Sequence, residues 1–128
     1  MITRIIIIGL TIVGFIGCSK ENKDNNIIYS AWPIAKVEGA TTGTINQPIP
    51  ITVSWPYSSG CDVVDKFAES NAGNTVTITT LGYKSKGICT MDTGIKTIIY
   101  NFTTKKSGVY ELKFVNHDSF ITHVVIIN

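Results

Sequence analysis

The chain has 128 residues, of which 44% are apolar and 16% charged, below the roughly 25% charged of an average soluble domain. That is enough apolar material for one packed core in one ordinary domain. Formal net charge is +2, falling to +1 without residues 1–17 (ten Lys against nine Asp and Glu), and Lys105-Lys106 is the one adjacent basic pair. A nucleic-acid partner is excluded on this ground, since a phosphate-binding face needs clustered positive charge.

Met1-Ile2-Thr3-Arg4 opens the chain with one side-chain positive charge, and Ile5 to Ile16 follows as an apolar run of twelve residues. A membrane-spanning helix needs roughly 20 residues. Twelve suits the apolar region of a secretory signal peptide. Ser19 to Asn26 then carries Lys, Glu, Asp, Asn and Ser without a bulky apolar side chain. Such a segment has nothing to bury and reads as a flexible tether.

At the join, Phe15-Ile16-Gly17-Cys18 resembles the lipobox of bacterial lipoproteins, with Phe15 where leucine is usual. The resemblance implies cleavage after Gly17, a diacylglycerol on the Cys18 thiol and acylation (palmitate) of the new amino terminus. Two or more acyl chains anchor stably where one does not. The implied location is the bacterial outer membrane. Residues 19–26 resemble the short Lys-acidic signals that send lipoproteins to the cell surface, with the periplasmic face as the alternative. The expected organisation is therefore a signal peptide over 1–17, a lipidated Cys18 with a tether over 18–26, and one domain over 27–128.

In that domain β-branched residues abound, and period-two patterning predicts strands. Ile49, Ile51, Val53 and Trp55 share one face, and Thr75–Thr79 alternates in the same way. Ile98, Tyr100 and Phe102 share a face, as do Tyr110, Leu112 and Phe114, while Phe120–Ile127 is apolar on both faces apart from Thr122 and His123. Turn signals fall at Gly43, Ser58-Ser59-Gly60, Asn71–Asn74, Lys86-Gly87, Thr93-Gly94, Ser107-Gly108 and Asn116–Asp118. Asp62–Ser70 is the best candidate for a short helical turn. About seven short strands at this spacing predict an all-β, antiparallel sandwich.

Ser107-Gly108-Val109-Tyr110-Glu111-Leu112 resembles the corner before the penultimate strand of immunoglobulin-like domains. The resemblance implies an immunoglobulin-like sandwich in which the Tyr110 hydroxyl bonds back to nearby backbone. It implies nothing about activity.

With Cys18 lipidated, Cys61 and Cys89 remain, and an exported pair predicts a disulfide. No Cys-x-x-Cys spacing points to zinc. Trp55-Pro56-Tyr57-Ser58-Ser59 leads into Cys61 and combines two aromatics, a proline and the bridge. It is the candidate binding loop, because rigid aromatics give contact area at low entropy cost. The competing reading has Trp55 in the core and Tyr57 covering the end of the sandwich.

Catalytic machinery is not expected. His117 and His123 lack a ligand spacing, and Asp62, Asp65 and Glu69 suit one face of a helical turn as well as a carboxylate pair. Neither a metal nor a cofactor is expected beyond the covalent lipid on Cys18. Chagasin-like protease inhibitors are exported immunoglobulin-like domains of similar size, and Ala40-Thr41-Thr42-Gly43 is a weak echo of their inhibitory motif. The expected function is a non-enzymatic binding or accessory role in the cell envelope, on an envelope protein or glycan. The alternatives are such an inhibitor or a small hydrolase.

Overall fold

The computed structural model describes residues 27–128. The expected signal peptide, the expected lipidation of Cys18 and the expected tether fall on residues outside the described ones.

Each long strand forms where the sequence alternates. β4 (Ile49–Tyr57) buries Ile49, Ile51, Val53 and Trp55 and turns Pro50, Thr52 and Ser54 outward. β6 (Thr75–Lys84) buries Val76, Ile78 and Thr80, β8 (Gly108–Asn116) buries Tyr110, Leu112 and Phe114, and β9 (Ser119–Ile127) buries Val125 and Ile127. β7 (Gly94–Phe102) contributes Tyr100 and Phe102. Apart from Trp55 and Thr80, these side chains, with Ile34, make the core cluster between the two sheets.

The smaller sheet has the order β2-β4-β7, where β2 is Lys36–Gly39. In the larger sheet β6 is flanked on one side by β5 (Asp62–Ala72) and on the other by β8 and the short β1 (Ser30–Ala31), followed by β9 and the short β3 (Thr42–Gly43). The expected all-β sandwich is what the chain forms. Six strands of nine to eleven residues and three of two to four replace the expected seven.

Two ladders are parallel where antiparallel pairing was expected: β6 with β8 over residues 75–78, and β3 with β9 at Thr42↔Ile126 and Gly43↔Ile127. The first follows from connectivity. After β6 the chain crosses to the smaller sheet as β7, then returns as β8 in the direction of β6. The second puts Gly43, read as a turn signal, inside a strand.

Asp62–Ser70 is strand, not helical turn. The register of β5 against β6 shifts between Val64 and Lys66, so Asp65 is bulged. A bulge inserts one extra residue and breaks the period of two. That is why the alternation Asp62, Val64, Phe67 did not read as a strand.

The β5–β6 hairpin turns at Gly73, where φ is 61°, a left-handed conformation that glycine adopts without strain. The chain enters the sandwich at the end where β4 and β6 finish: Ser30 and Ala31 pair with Gly82 and Leu81, and Trp32 N–H donates to Thr80 O at 2.8 Å. The segment then crosses to the smaller sheet, where Ala35 N–H donates to Ser54 O. A Cβ on Gly82 would lie 2.7 Å from Trp32 Cε3, so this crossing requires glycine there.

Candidate functional site

At the end where the chain enters, the β4–β5 turn folds around one carboxylate. Asp62 is buried, its Oδ2 accepting from Ser58 N–H (2.7 Å) and Ser58 Oγ (3.1 Å), and its Oδ1 from Lys84 Nζ (2.9 Å) and Ser59 Oγ (3.4 Å). Burial pushes this carboxyl up, but the Ser58 backbone and hydroxyl donors and Lys84 outweigh it and hold it down at about 2. Cys61 is bonded to Cys89, as expected, with Cα atoms 5.2 Å apart. Gly60 N–H donates to Thr90 O and Ser85 N–H to Cys61 O, so the Ser85–Thr93 loop is tied to this turn at three points.

The candidate binding loop is thus largely consumed by the fold. Trp55 is buried and meets Trp32 edge-on, with centroids 6.2 Å apart. Trp32 Nε1 donates to Pro56 O at 3.0 Å. Tyr57 is half-buried, packs edge-on against Trp55 and covers Gly94, and Lys96 Nζ lies 4.6 Å above its ring. Ser58 and Ser59 serve Asp62. Among the described residues, Trp55 Nε1 and Thr80 Oγ1 are buried without a hydrogen-bond partner.

At the opposite end Tyr110 takes the position expected of it. Its hydroxyl donates to Lys106 O and accepts from Thr104 Oγ1, both at 2.8 Å. An open depression of about 420 Å³ beside it is lined in part by Asn71, Asn74, Phe102, Lys105 and Lys106.

The titratable residues singled out in the sequence are not brought together. Asp62 serves the turn, Asp65 accepts from Tyr29 Oη at 3.2 Å, and Glu69 accepts from the Tyr100 hydroxyl. Burial, with the Glu69 hydrogen bond and charge, pushes the Tyr100 hydroxyl well above its ordinary range. His117 occupies the β8–β9 turn at φ 55°, and His123 Nε2 lies 3.0 Å from Ala40 O. Among the described residues no three His, Cys, Asp or Glu side chains form a metal-binding group. The Ala40–Gly43 echo is held against β9: Ile126 N–H donates to Thr41 O and Asn128 N–H to Gly43 O.

One exposed apolar surface is the outer face of β8–β9. Cross-strand pairing sets Val109 beside Ile126, Glu111 beside Val124, Lys113 beside Thr122 and Val115 beside Phe120. Val109, Phe120, Val124 and Ile126 are each about half exposed, at 56, 52, 46 and 45%. An antiparallel sheet with one solvated face commonly turns polar residues to it. This face carries apolar side chains at both ends, with the polar pair Lys113–Thr122 between them, and apolar patches of this kind mark contact surfaces. The sequence signal was present in the two-faced apolar character of Phe120–Ile127. The partners Trp32, Lys84 and Lys96 left no local signal, since they meet the turn only through the fold.

Among known proteins, no curated protein and no solved structure matches the chain. A family model described as the ORF11 beta-sandwich domain matches residues 51–125, 75 of the 128 residues. The match starts in β4, takes in β5 to β8 whole and stops at Val125 of β9, so it spans both sheets and the disulfide. The chain belongs to the ORF11 beta-sandwich domain family.

Proposed function

We propose that this protein is a membrane-anchored lipoprotein of the bacterial envelope whose sandwich has a non-enzymatic accessory role, docking on a neighbouring envelope protein. The observation that carries the binding role is the half-exposed apolar face of β8–β9. Burying such side chains is favourable at roughly 25 cal/mol per Å² of apolar area, and the interleaved Glu111 and Lys113 would fix orientation. The anchor rests on the Phe15–Cys18 segment of the sequence. A lipid on Cys18 would make the outer faces of the sheets lateral surfaces, because the chain enters at one end of the sandwich. A lateral face meets other proteins of the same membrane.

The test is capture from gently solubilised native membranes through a carboxyl-terminal tag. The chain is compared with its Val124→Lys and Phe120→Ser variants. Surface substitutions of this kind leave stability within about 0.5 kcal/mol. A stoichiometric partner lost in both variants is the expected result. Recovery of the chain alone, or a partner that both variants keep, would refute the docking face. A retained glycan would replace the protein partner in this reading.

A further inference from the structure

We infer that the Ser85–Thr93 loop is a second, apolar point of contact with the lipid surface, holding the sandwich end-on against the membrane from which its chain emerges. The inference rests on the anchored reading of Cys18 given above. Ile88 is fully exposed and Met91 95% exposed, on either side of Cys89 and Thr90. Here the Cys61–Cys89 bond and the Gly60–Thr90 and Ser85–Cys61 hydrogen bonds hold the backbone, so both side chains are presented outward by a braced loop.

The loop leaves from the end of β6, and Ser30 and Ala31 pair with that same end, so the amino-terminal segment and the loop tip share one pole of the molecule. Ile27 and Ile28 are exposed there as well. Only the eight residues 19–26 separate Cys18 from the described domain. The nine Cα-to-Cα steps from Cys18 to Ile27 span at most about 30 Å fully extended, so an anchored Cys18 keeps this pole near the bilayer. A tethered contact is intramolecular and needs little affinity of its own. Lys86 and Asp92 in the loop offset one another, so the contact is apolar and insensitive to salt.

The test uses the full chain, purified from membranes in detergent and reconstituted into phosphatidylethanolamine–phosphatidylglycerol vesicles containing lipids brominated near the headgroup. A tryptophan is introduced as Ile88→Trp, Met91→Trp or, as control, Ile99→Trp on the outer face of the smaller sheet. The emission of Trp32 and Trp55 is subtracted with the unsubstituted chain, and the lipid on Cys18 is read by mass on the same samples. The expected result is that about half or more of the added emission is quenched at positions 88 and 91, and little at 99, as for side chains in the headgroup region. Loss of quenching at 88 and 91 with Cys18 lipidated overturns the loop contact and leaves the anchor standing. Quenching at 88 and 91 without a lipid on Cys18 upholds the contact and removes the anchor. Equal quenching at all three positions, or none at any with Cys18 unmodified, overturns the end-on contact.

Discussion

Asp62 and Lys84 form an ion pair at 2.9 Å in which the carboxylate is buried and the ammonium faces water. The folded carboxyl is held at about 2 against an ordinary 3.8. A carboxyl lowered by folding stabilises the native state where it is ionised in both states, above about pH 4. That contribution disappears as pH falls through about 2. The difference corresponds to about 2 kcal/mol at pH 7. Asp62→Asn is expected to lose about that much in urea unfolding at pH 7 and to flatten the stability profile between about pH 5 and 2. A variant whose stability still falls in parallel with the parent over that range would show that other carboxylates set the acid limit.

Thr80 makes the opposite case. Its side chain is wholly buried on the inner face of β6, and its hydroxyl has no partner among the described residues. An unpaired buried hydroxyl has lost water without gaining a bond. Thr80→Val keeps the shape and removes the polar group, so it is expected to raise stability by about 1 kcal/mol. A loss of stability in the same denaturation experiment would mean that the hydroxyl is bonded in solution.

The Cys61–Cys89 bond closes a loop with a sequence separation of 28. Removing that constraint from the unfolded chain is worth roughly 3–4 kcal/mol in the chain-entropy model. The double variant Cys61→Ala, Cys89→Ala is expected to lose that amount and to become sensitive to proteolysis within Ser85–Thr93. Unchanged resistance of the loop would show that the Gly60–Thr90 and Ser85–Cys61 hydrogen bonds suffice to brace it.

Tyr110 ties the corner before β8 through two hydrogen bonds of its hydroxyl. Tyr110→Phe keeps the buried ring, and about 1–2 kcal/mol of stability should go with the hydroxyl. Thermal unfolding that matches the parent would remove the corner from the list of stabilising features.

How legible the fold was depends on the element. Ile49–Trp55 and Tyr110–Phe114 alternate without interruption, and both are strands with their apolar side chains inside. Tyr110 was legible through the resemblance of Ser107–Leu112 to an immunoglobulin-like corner, and its hydrogen bonds run to residues four and six positions away. β5 was not legible, since the bulge at Asp65 moves Phe67 out of phase with Val64. The parallel pairing of β6 with β8 depends on a crossover through the other sheet, which no local pattern encodes. For the candidate binding loop, Trp55 and Tyr57 read equally as contact residues or as cover. In the fold Trp32 packs on Trp55 and Lys96 lies over Tyr57, contacts from residues distant in sequence. The outer face of β8–β9 needed the register that sets Val109 beside Ile126 before its apolar residues formed one surface.

The envelope role and the end-on contact both depend on Cys18, so the mature amino terminus is the most direct measurement. The chain is extracted from membranes, digested, and the mass of its amino-terminal peptide determined. The expected chain starts at Cys18 and carries diacylglycerol and acyl mass on that residue. A chain that retains residues 1–17, or whose Cys18 carries no lipid, would remove the anchor and with it the envelope role.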